Sequence, residues 1–314
     1  MLKKLEDQSV NTCITSPPYF NLRNYNDEEK QLGMEDTPEE FVENLVAVFR
    51  EVKRVLRDDG TVWLNLGDTF LPNKQLGCIP FRIALALQQD GWYLRQDIIW
   101  HKPNPMPESV KDRCTKAHEY IFLLSKSPKY YFDNEAIKED CISKGVANSP
   151  SKIKAVDGVG GSRDNISKFK GTSKRNKRSV WTITTKPFKA AHFATFPMDL
   201  IKPCVLAGCP EKICVDCGKP YERVMQQPKP LEVKRGRRAG TDDRLIGGVL
   251  DKYRKENPPI DLGLQKQCDC KTNETKAGTV LDQFAGSGTT GIVAAINSRN
   301  AVLLELNEEY IDLA

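Results

Sequence analysis

No apolar run in this 314-residue chain is long enough to span a bilayer, and its first residues carry no export-signal pattern. No membrane partner is expected, and the expected location is cytoplasmic. A phosphate-binding P-loop is excluded for the loop Gly286 to Gly291, because no lysine follows its last glycine. There is little excess of either charge: 47 Lys/Arg against 42 Asp/Glu leaves +5, too mild to establish a nucleic-acid partner. Ten cysteines without an export signal argue for a reducing compartment rather than a disulfide framework. With 39% apolar residues the chain can bury a large core, as one domain with insertions or as two.

What is present begins near the C-terminus. Val280 to Gly288, followed by Thr289-Thr290-Gly291, reads as a strand, a glycine turn and a helix start, the unit that cradles a nucleotide-like cofactor. Only 23 residues follow Gly291, room for one helix and one strand. A parallel sheet needs several strands with covered faces, so the others are expected upstream. Val10–Thr15 is a short β-branched strand that runs into Ser16-Pro17-Pro18-Tyr19-Phe20. Two prolines hold a rigid turn at the strand end, where open α/β sheets bind ligands. Taken alone, Pro-Pro-Tyr also suits a plain loop or a polyproline segment. Gly286-x-Gly288-x-x-Gly291, with Glu305 downstream, also matches the dinucleotide fingerprint. Against that reading stands the lack of a second mononucleotide half after the glycines.

Together these residues resemble the amino-group DNA methyltransferases, S-adenosylmethionine enzymes that methylate N4 of cytosine or N6 of adenine. The family signatures are Asp/Asn/Ser-Pro-Pro-aromatic and Phe-x-Gly-x-Gly. This chain has Ser16-Pro17-Pro18-Tyr19 and Phe284-Ala285-Gly286-Ser287-Gly288, with the catalytic motif first, as in the permuted β class. The resemblance implies an acidic residue near the cofactor's charged end, and Asp282 ahead of the glycines fits it, which weighs further against the dinucleotide reading. Gln31–Leu56, Trp63–Asp68, Trp100–Pro107 and His192–Pro197 also look like family segments, whereas about 134–180 and 205–276 do not. The resemblance implies a Rossmann-like, circularly permuted methyltransferase fold.

The pattern of the chain agrees with a doubly wound α/β sheet of about six or seven strands. Thr37 is a candidate N-cap with Pro38 at the first helical position; Phe41, Leu45, Val48, Val52, Val55 and Leu56 recur at helical spacing, and Asp59-Gly60 is expected to end the helix. Strands are expected at 61–66, 94–100, 120–124, 280–283 and 301–306, and helices at 80–91, 198–207 and 289–297. We divide the chain into a catalytic half (1–133), a basic loop that is a candidate target-recognition segment (134–180), a cofactor-covering segment and helix (181–207), a Cys-containing insert (208–276) and a cofactor-binding half (277–314).

The resemblance also implies roles. An exocyclic amine is a poor nucleophile, its lone pair being delocalised into the ring. The Ser16 side chain and the Pro17 carbonyl are expected to accept its two N–H groups, with Pro18 holding the turn and Tyr19 stacking on a base extruded from double-stranded DNA. Cys13 is expected to be a buried strand residue and no nucleophile. Asp282, Phe284, Ala285, Gly286, Ser287, Gly288, Thr289 and Thr290 would line the S-adenosylmethionine site. Glu305 would take the ribose hydroxyls, and His192, Ala194, Thr195 and Phe196 would pack over the methionine end. Asn65 to Asp68 is either a wall of the base pocket or a plain turn. Asn104 and Arg113 resemble the family's loop beside the target base, with an Arg113–Asp112 ion pair as the alternative.

Lys144 to Lys189 holds twelve Lys/Arg and two Asp, so Lys174, Arg175, Lys177 and Arg178 are candidate DNA contacts, in competition with Lys234–Arg238 of the insert. Cys214-x-x-Cys217-Gly218 and Cys268-x-Cys270 suit a tetrahedral structural zinc, with Cys204 and Cys209 as possible substitutes. The expected function is site-specific DNA methylation, with Ser before Pro-Pro favouring cytosine N4 over adenine N6. A cognate restriction endonuclease is a candidate partner. A non-catalytic, zinc-containing DNA-binding protein is the alternative of another class.

Overall fold

The computed structural model describes residues 1–22, 31–140, 174–185, 196–229, 231, 253 and 256–313. Seven strands hydrogen-bond into one sheet: β1 (Val10–Thr15), β2 (Leu56–Leu66), β3 (Tyr93–His101), β4 (His118–Ser125), β5 (Val180–Thr182), β6 (Thr279–Asp282) and β7 (Asn300–Leu303). Their spatial order is β7-β6-β1-β2-β4-β3-β5. All run parallel except β4, which is antiparallel to β2 and β3.

Side chains alternate across a strand, and the alternation sorts them into two cores. Cys13, Val62, Leu64, Leu66, Phe122 and Leu124 cluster with the apolar faces of α1 (Pro38–Val55) and α2 (Ile79–Gln89). Ile14, Trp63, Ile98, Trp100, Ile121 and Leu123 cluster with α3 (Met198–Gly208) and α4 (Thr289–Ile296). A central strand such as β2 is buried on both faces, which is why Thr61–Leu66 reads as a nearly unbroken apolar run. A short α5 (Glu308–Leu313) closes the described chain. No helix among the described residues is long and apolar enough to cross a membrane.

Thr37 Oγ1 accepts the Glu40 amide at 3.2 Å, and Pro38 occupies the first turn, so α1 starts as expected. Its buried face is Phe41, Leu45, Val46, Phe49, Val52 and Val55, with Val48 only half-buried. The helix also ends earlier than expected. Leu56 already belongs to β2 and pairs with Val10, and the register then shifts before Thr61. At the bend a Cβ on Gly60 would lie 2.5 Å from Leu56 Cγ, so this glycine allows the strand to fold against its own first residue. Asp59-Gly60 therefore bends a strand instead of ending a helix.

The described chain separates into two compact units. The first comprises Met1–Ile137, Arg178–Glu222 and Lys266–Ala314 and holds the sheet; the second comprises Lys138–Lys177 and Arg223–Gln265. In the second unit Glu139–Asp140 pairs with Lys174–Arg175, and the strand Ile260–Gln265 pairs with the strand Glu222–Gln226, of which all but Glu222 belong to this unit.

Candidate active site

From β1 the chain passes through α1 to β2; from β6 it passes through α4 to β7, on the opposite side. The two crossovers diverge between neighbours β1 and β6, which opens a crevice at their carboxyl ends. Ser16–Tyr19 leaves β1 and Gln283–Gly288 leaves β6 at this point, so segments from opposite ends of the sequence begin the two walls of one crevice.

Asp282 ties the walls together. It ends β6, is fully buried, and accepts from Thr15 Oγ1 (2.7 Å) and the Phe284 amide (3.1 Å) through Oδ1, and from Thr290 Oγ1 (2.6 Å) through Oδ2. Burial lifts its carboxyl to about 6; the Thr290, Thr15 and Phe284 donors work against that rise, and Glu305 adds to it.

Gly286 has φ +51°, and a Cβ added there would meet nothing within 4 Å, so the loop backbone borders open space. Gly288, at φ +74°, is the residue from which α4 starts, with Thr289 and Thr290 buried in its first turn. A Cβ on Gly291 would lie 2.7 Å from Leu303 Cδ1, so this third glycine lets α4 pack closely on β7. Glu305 Oε2 accepts the Gly286 amide at 2.7 Å, while Oε1 accepts those of Leu306 (2.9 Å) and Asn307 (3.0 Å). Its carboxylate is thus fixed beside the loop. Ala285 donates its amide to the Leu304 carbonyl at 3.1 Å, and Phe284 packs against the α1 side of the core. Ser287 Oγ and Gln283 Nε2 are buried and have no partner among the described residues. Phe196 packs against the α3 side of the core, while His192, Ala194 and Thr195 lie outside the described residues.

Across the crevice, Ser16 Oγ lies 3.4 Å from Tyr19 Oη and 3.4 Å from Asn65 Nδ2. Tyr19 Oη donates to Glu119 Oε2 at 2.7 Å and accepts from Asn65 Nδ2 at 2.8 Å; the same amide group also donates to Glu119 Oε2, at 2.9 Å. Lys102 pairs with the other Glu119 oxygen, its ammonium 4.3 Å from the Trp100 ring centroid. Asn65 is buried, and its Oδ1 has no partner among the described residues. Gly67 allows the close approach of Tyr19, because a Cβ there would lie 2.5 Å from Tyr19 Cε2. Asp68 points away to the start of α2, where its Oδ1 accepts the Ile79 amide at 3.0 Å. Within this segment Asn65 thus contacts the Ser16–Tyr19 turn, whereas Asp68 serves the start of α2.

Glu119 and Lys102 were not singled out from the sequence. They meet because β3 and β4 pair antiparallel with Trp100 opposite Glu119, a register no local pattern reveals. Cys13 is buried and donates to Gln283 Oε1 at 3.1 Å; burial, with Asp282 nearby, pushes its thiol well above the ordinary range. That agrees with a core residue and not with a nucleophile.

Asn104 is pinned to Thr185, three residues past the end of β5. Its Nδ2 donates to Thr185 Oγ1 (2.9 Å) and its Oδ1 accepts the Thr185 amide (3.1 Å). Arg113 pairs with Glu108, not with Asp112, and stacks 4.0 Å from the Phe70 ring centroid; Asp112 instead faces Lys74 at 3.9 Å. Arg175 pairs with Glu139 at 2.9 Å. Lys174 and Lys177 belong with it to the second unit and Arg178 to the first.

Comparison with known proteins accords with this geometry. A family described as DNA methylase matches residues 10–217 and 269–314. The chain is 36% identical to the Type II methyltransferase M.Cfr9I of Citrobacter freundii, covering 100% of this chain and 83% of that protein. It is 35% identical to the Type II methyltransferase M.SmaI of Serratia marcescens, covering 99% and 84%. The solved PvuII DNA methyltransferase (cytosine-N4-specific) superposes over 99% of this chain and 80% of that one with TM-score 0.58; at 16% identity this is a likeness of fold.

Proposed function

Because the chain belongs to the DNA methylase family, we propose that it transfers a methyl group from S-adenosyl-L-methionine to the N4 amine of a cytosine flipped out of double-stranded DNA. The observation that carries this reading is the meeting of Ser16-Pro17-Pro18-Tyr19 and the Asp282–Gly288 loop at one divergence point, joined by the 2.7 Å bond from Thr15 to Asp282. An amine acceptor and a cofactor cradle share one crevice.

The loop suits the cofactor. Gly286 borders open space, Ser287 Oγ is an unspent buried polar group, and Glu305 presents a fixed carboxylate for sugar hydroxyls. Asp282, a buried anion beneath the loop, favours a cationic ligand above it. When bound, S-adenosylmethionine supplies an electrophilic methyl group. The residues opposite make the amine reactive. Ser16 Oγ and the Pro17 carbonyl accept its two N–H groups, drawing nitrogen toward tetrahedral geometry and turning its lone pair to the crevice. The Ser16 hydroxyl is directed at Tyr19 Oη and its oxygen accepts only the long 3.4 Å contact from Asn65 Nδ2, which leaves a lone pair for the substrate. Glu119, Asn65 and Gly67 fix the Tyr19 ring, whose face is the stacking surface for the flipped base. Ser at the first motif position, as in the cytosine-modifying members of the family, favours N4. The Type II relatives support a companion restriction endonuclease that reads the same sequence.

Incubating the protein with mixed-sequence DNA and methyl-labelled cofactor, then digesting to nucleosides, tests the proposal. N4-methylcytosine is expected. N6-methyladenine would overturn the base assignment, and unlabelled DNA the function.

A further inference from the structure

We propose that Cys214, Cys217, Cys268 and Cys270 hold one zinc ion, and that within the unit that holds the sheet this ion clasps together the two chain ends between which residues 218–268 leave and return. Such a site is independent of which base is methylated.

The four sulfurs lie within 4.8 Å of one another, although the two pairs are about fifty residues apart in sequence. Around a tetrahedral zinc with Zn–S near 2.3 Å, sulfurs sit about 3.8 Å apart, so a small contraction would complete the site. The backbone is arranged for this. Gly218 at φ +69° closes a turn in which its amide donates to the Cys214 carbonyl at 2.9 Å, and the Cys214 amide returns to the Lys219 carbonyl at 2.9 Å. Cys214 also pairs with Thr275, and Ile213 with Lys276, so the strand that follows the second cysteine pair is in register with the first.

The alternative ligands are placed elsewhere. Cys204 and Cys209 are buried in the core on the α3 side of the sheet. Cys217 is exposed and Cys268 and Cys270 are half-buried, which leaves the four-sulfur group open to an incoming ion. Four thiolates on zinc carry net charge −2, and two cations stand by. Lys266 donates to the Cys270 carbonyl, and the Arg57 guanidinium packs against the turn, 2.5 Å from where a Gly218 Cβ would be.

The position of the group shows what it would fasten. All four cysteines fall in the unit that holds the sheet, whereas Arg223–Gln265 falls in the other. The residues passed over by the family match, 218–268, begin beside the second ligand and end at the third. Thr275–Lys276 is followed directly by β6, whose last residue is Asp282. The metal thus fastens both ends of a long excursion at the root of the cofactor strand; it does not form the core of a separate finger.

Elemental analysis of untagged full-length protein, purified without chelator, should give one zinc per chain. Exchange with cobalt(II) should give the intense visible bands of a tetrahedral thiolate site. Cys217→Ser and Cys270→Ser should lose the metal, while Cys78→Ser and Cys114→Ser keep it. Limited proteolysis of the full-length protein within Arg223–Gln265 should leave zinc with the nicked catalytic unit. Metal-free protein whose four thiols titrate freely, or a mass lowered by disulfide formation among them, would overturn the site. Zinc that departs with the excised peptide would overturn the clasp. The cobalt spectrum of the unmutated protein decides the matter even if a cysteine variant fails to fold.

Discussion

Ser16 makes only long contacts, 3.4 Å on each side, while its neighbour Tyr19 is held by Glu119 and Asn65 at 2.7 and 2.8 Å. The turn holds its aromatic ring tightly and leaves its hydroxyl loose, which suits the proposed grip on a substrate amine. Ser16→Ala is therefore expected to lower turnover about ten- to a thousandfold with cofactor affinity nearly unchanged, the loss of one transition-state acceptor. Turnover within twofold of the parent would remove Ser16 from the mechanism. Asp282 makes a second, opposite case. Its carboxyl is lifted from 3.8 to about 6, so the native form holds its proton more tightly than the unfolded chain. Its contribution to stability is full below about pH 4 and is lost as pH rises through about 6, a loss on the order of 3 kcal/mol. Asp282→Asn keeps the shape and removes the charge. Urea unfolding of the cofactor-free variant should show higher stability than the parent at pH 7.5 and little difference at pH 4, while calorimetry shows weaker cofactor binding. Equal pH dependence of the two proteins would mean that the buried charge is not the cost. Both residues were legible because each lies in a short local motif; Glu119 and Lys102 were not, because only strand register brings them to Tyr19.

At the scale of elements, most helices and strands followed from periodicity, and the misses have physical causes. In α1 the buried stripe includes Val46 and Phe49, which lie between the expected positions and face the sheet through the helix's turn. Leu56 looked helical by spacing, yet it satisfies its backbone against Val10 in β1. Val180–Thr182 joins the sheet as an edge strand beside β3, although it follows directly on a basic, glycine- and serine-rich run that masks its apolar pattern. Gly67 was visible as a residue but not as a contact. It lies one residue past the end of β2, where a methyl group would intrude on Tyr19 Cε2 at 2.5 Å. Gly67→Ala should leave the fold and cofactor affinity intact, since it touches neither the Asp282 loop nor the two cores. It should displace the Tyr19 ring and cut methyl transfer by about tenfold or more, because a small misplacement of a positioning group is costly. An equal loss of cofactor affinity would show that the effect spreads beyond the turn.

Across the whole molecule, charge is divided more sharply than its net value suggests. Lys138–Lys177 and Arg223–Gln265, which make up the second unit, carry 20 Lys/Arg and 10 Asp/Glu; the rest of the chain carries 27 and 32. The catalytic unit is thus mildly acidic and the second unit strongly basic. An acidic unit gains nothing from a phosphate backbone, so the electrostatic part of DNA affinity should come from the second unit. Lys234, Arg235, Arg237 and Arg238 are the densest basic group in its Arg223–Gln265 part. Each phosphate contact releases counterions and adds about 0.9 to the slope of log affinity against log salt. Replacing the four by Ser should flatten that slope by roughly 2 to 4 and weaken binding most at low salt. Cofactor affinity and zinc content should be unchanged, because Gly286, Glu305 and the four cysteines all belong to the other unit. Lys3→Ser/Lys4→Ser removes two positive charges from the catalytic unit and serves as the control. An unchanged slope in the fourfold variant would assign the grip to Lys144–Lys177 alone, and a flattened slope in the control would undo the division of labour between the units.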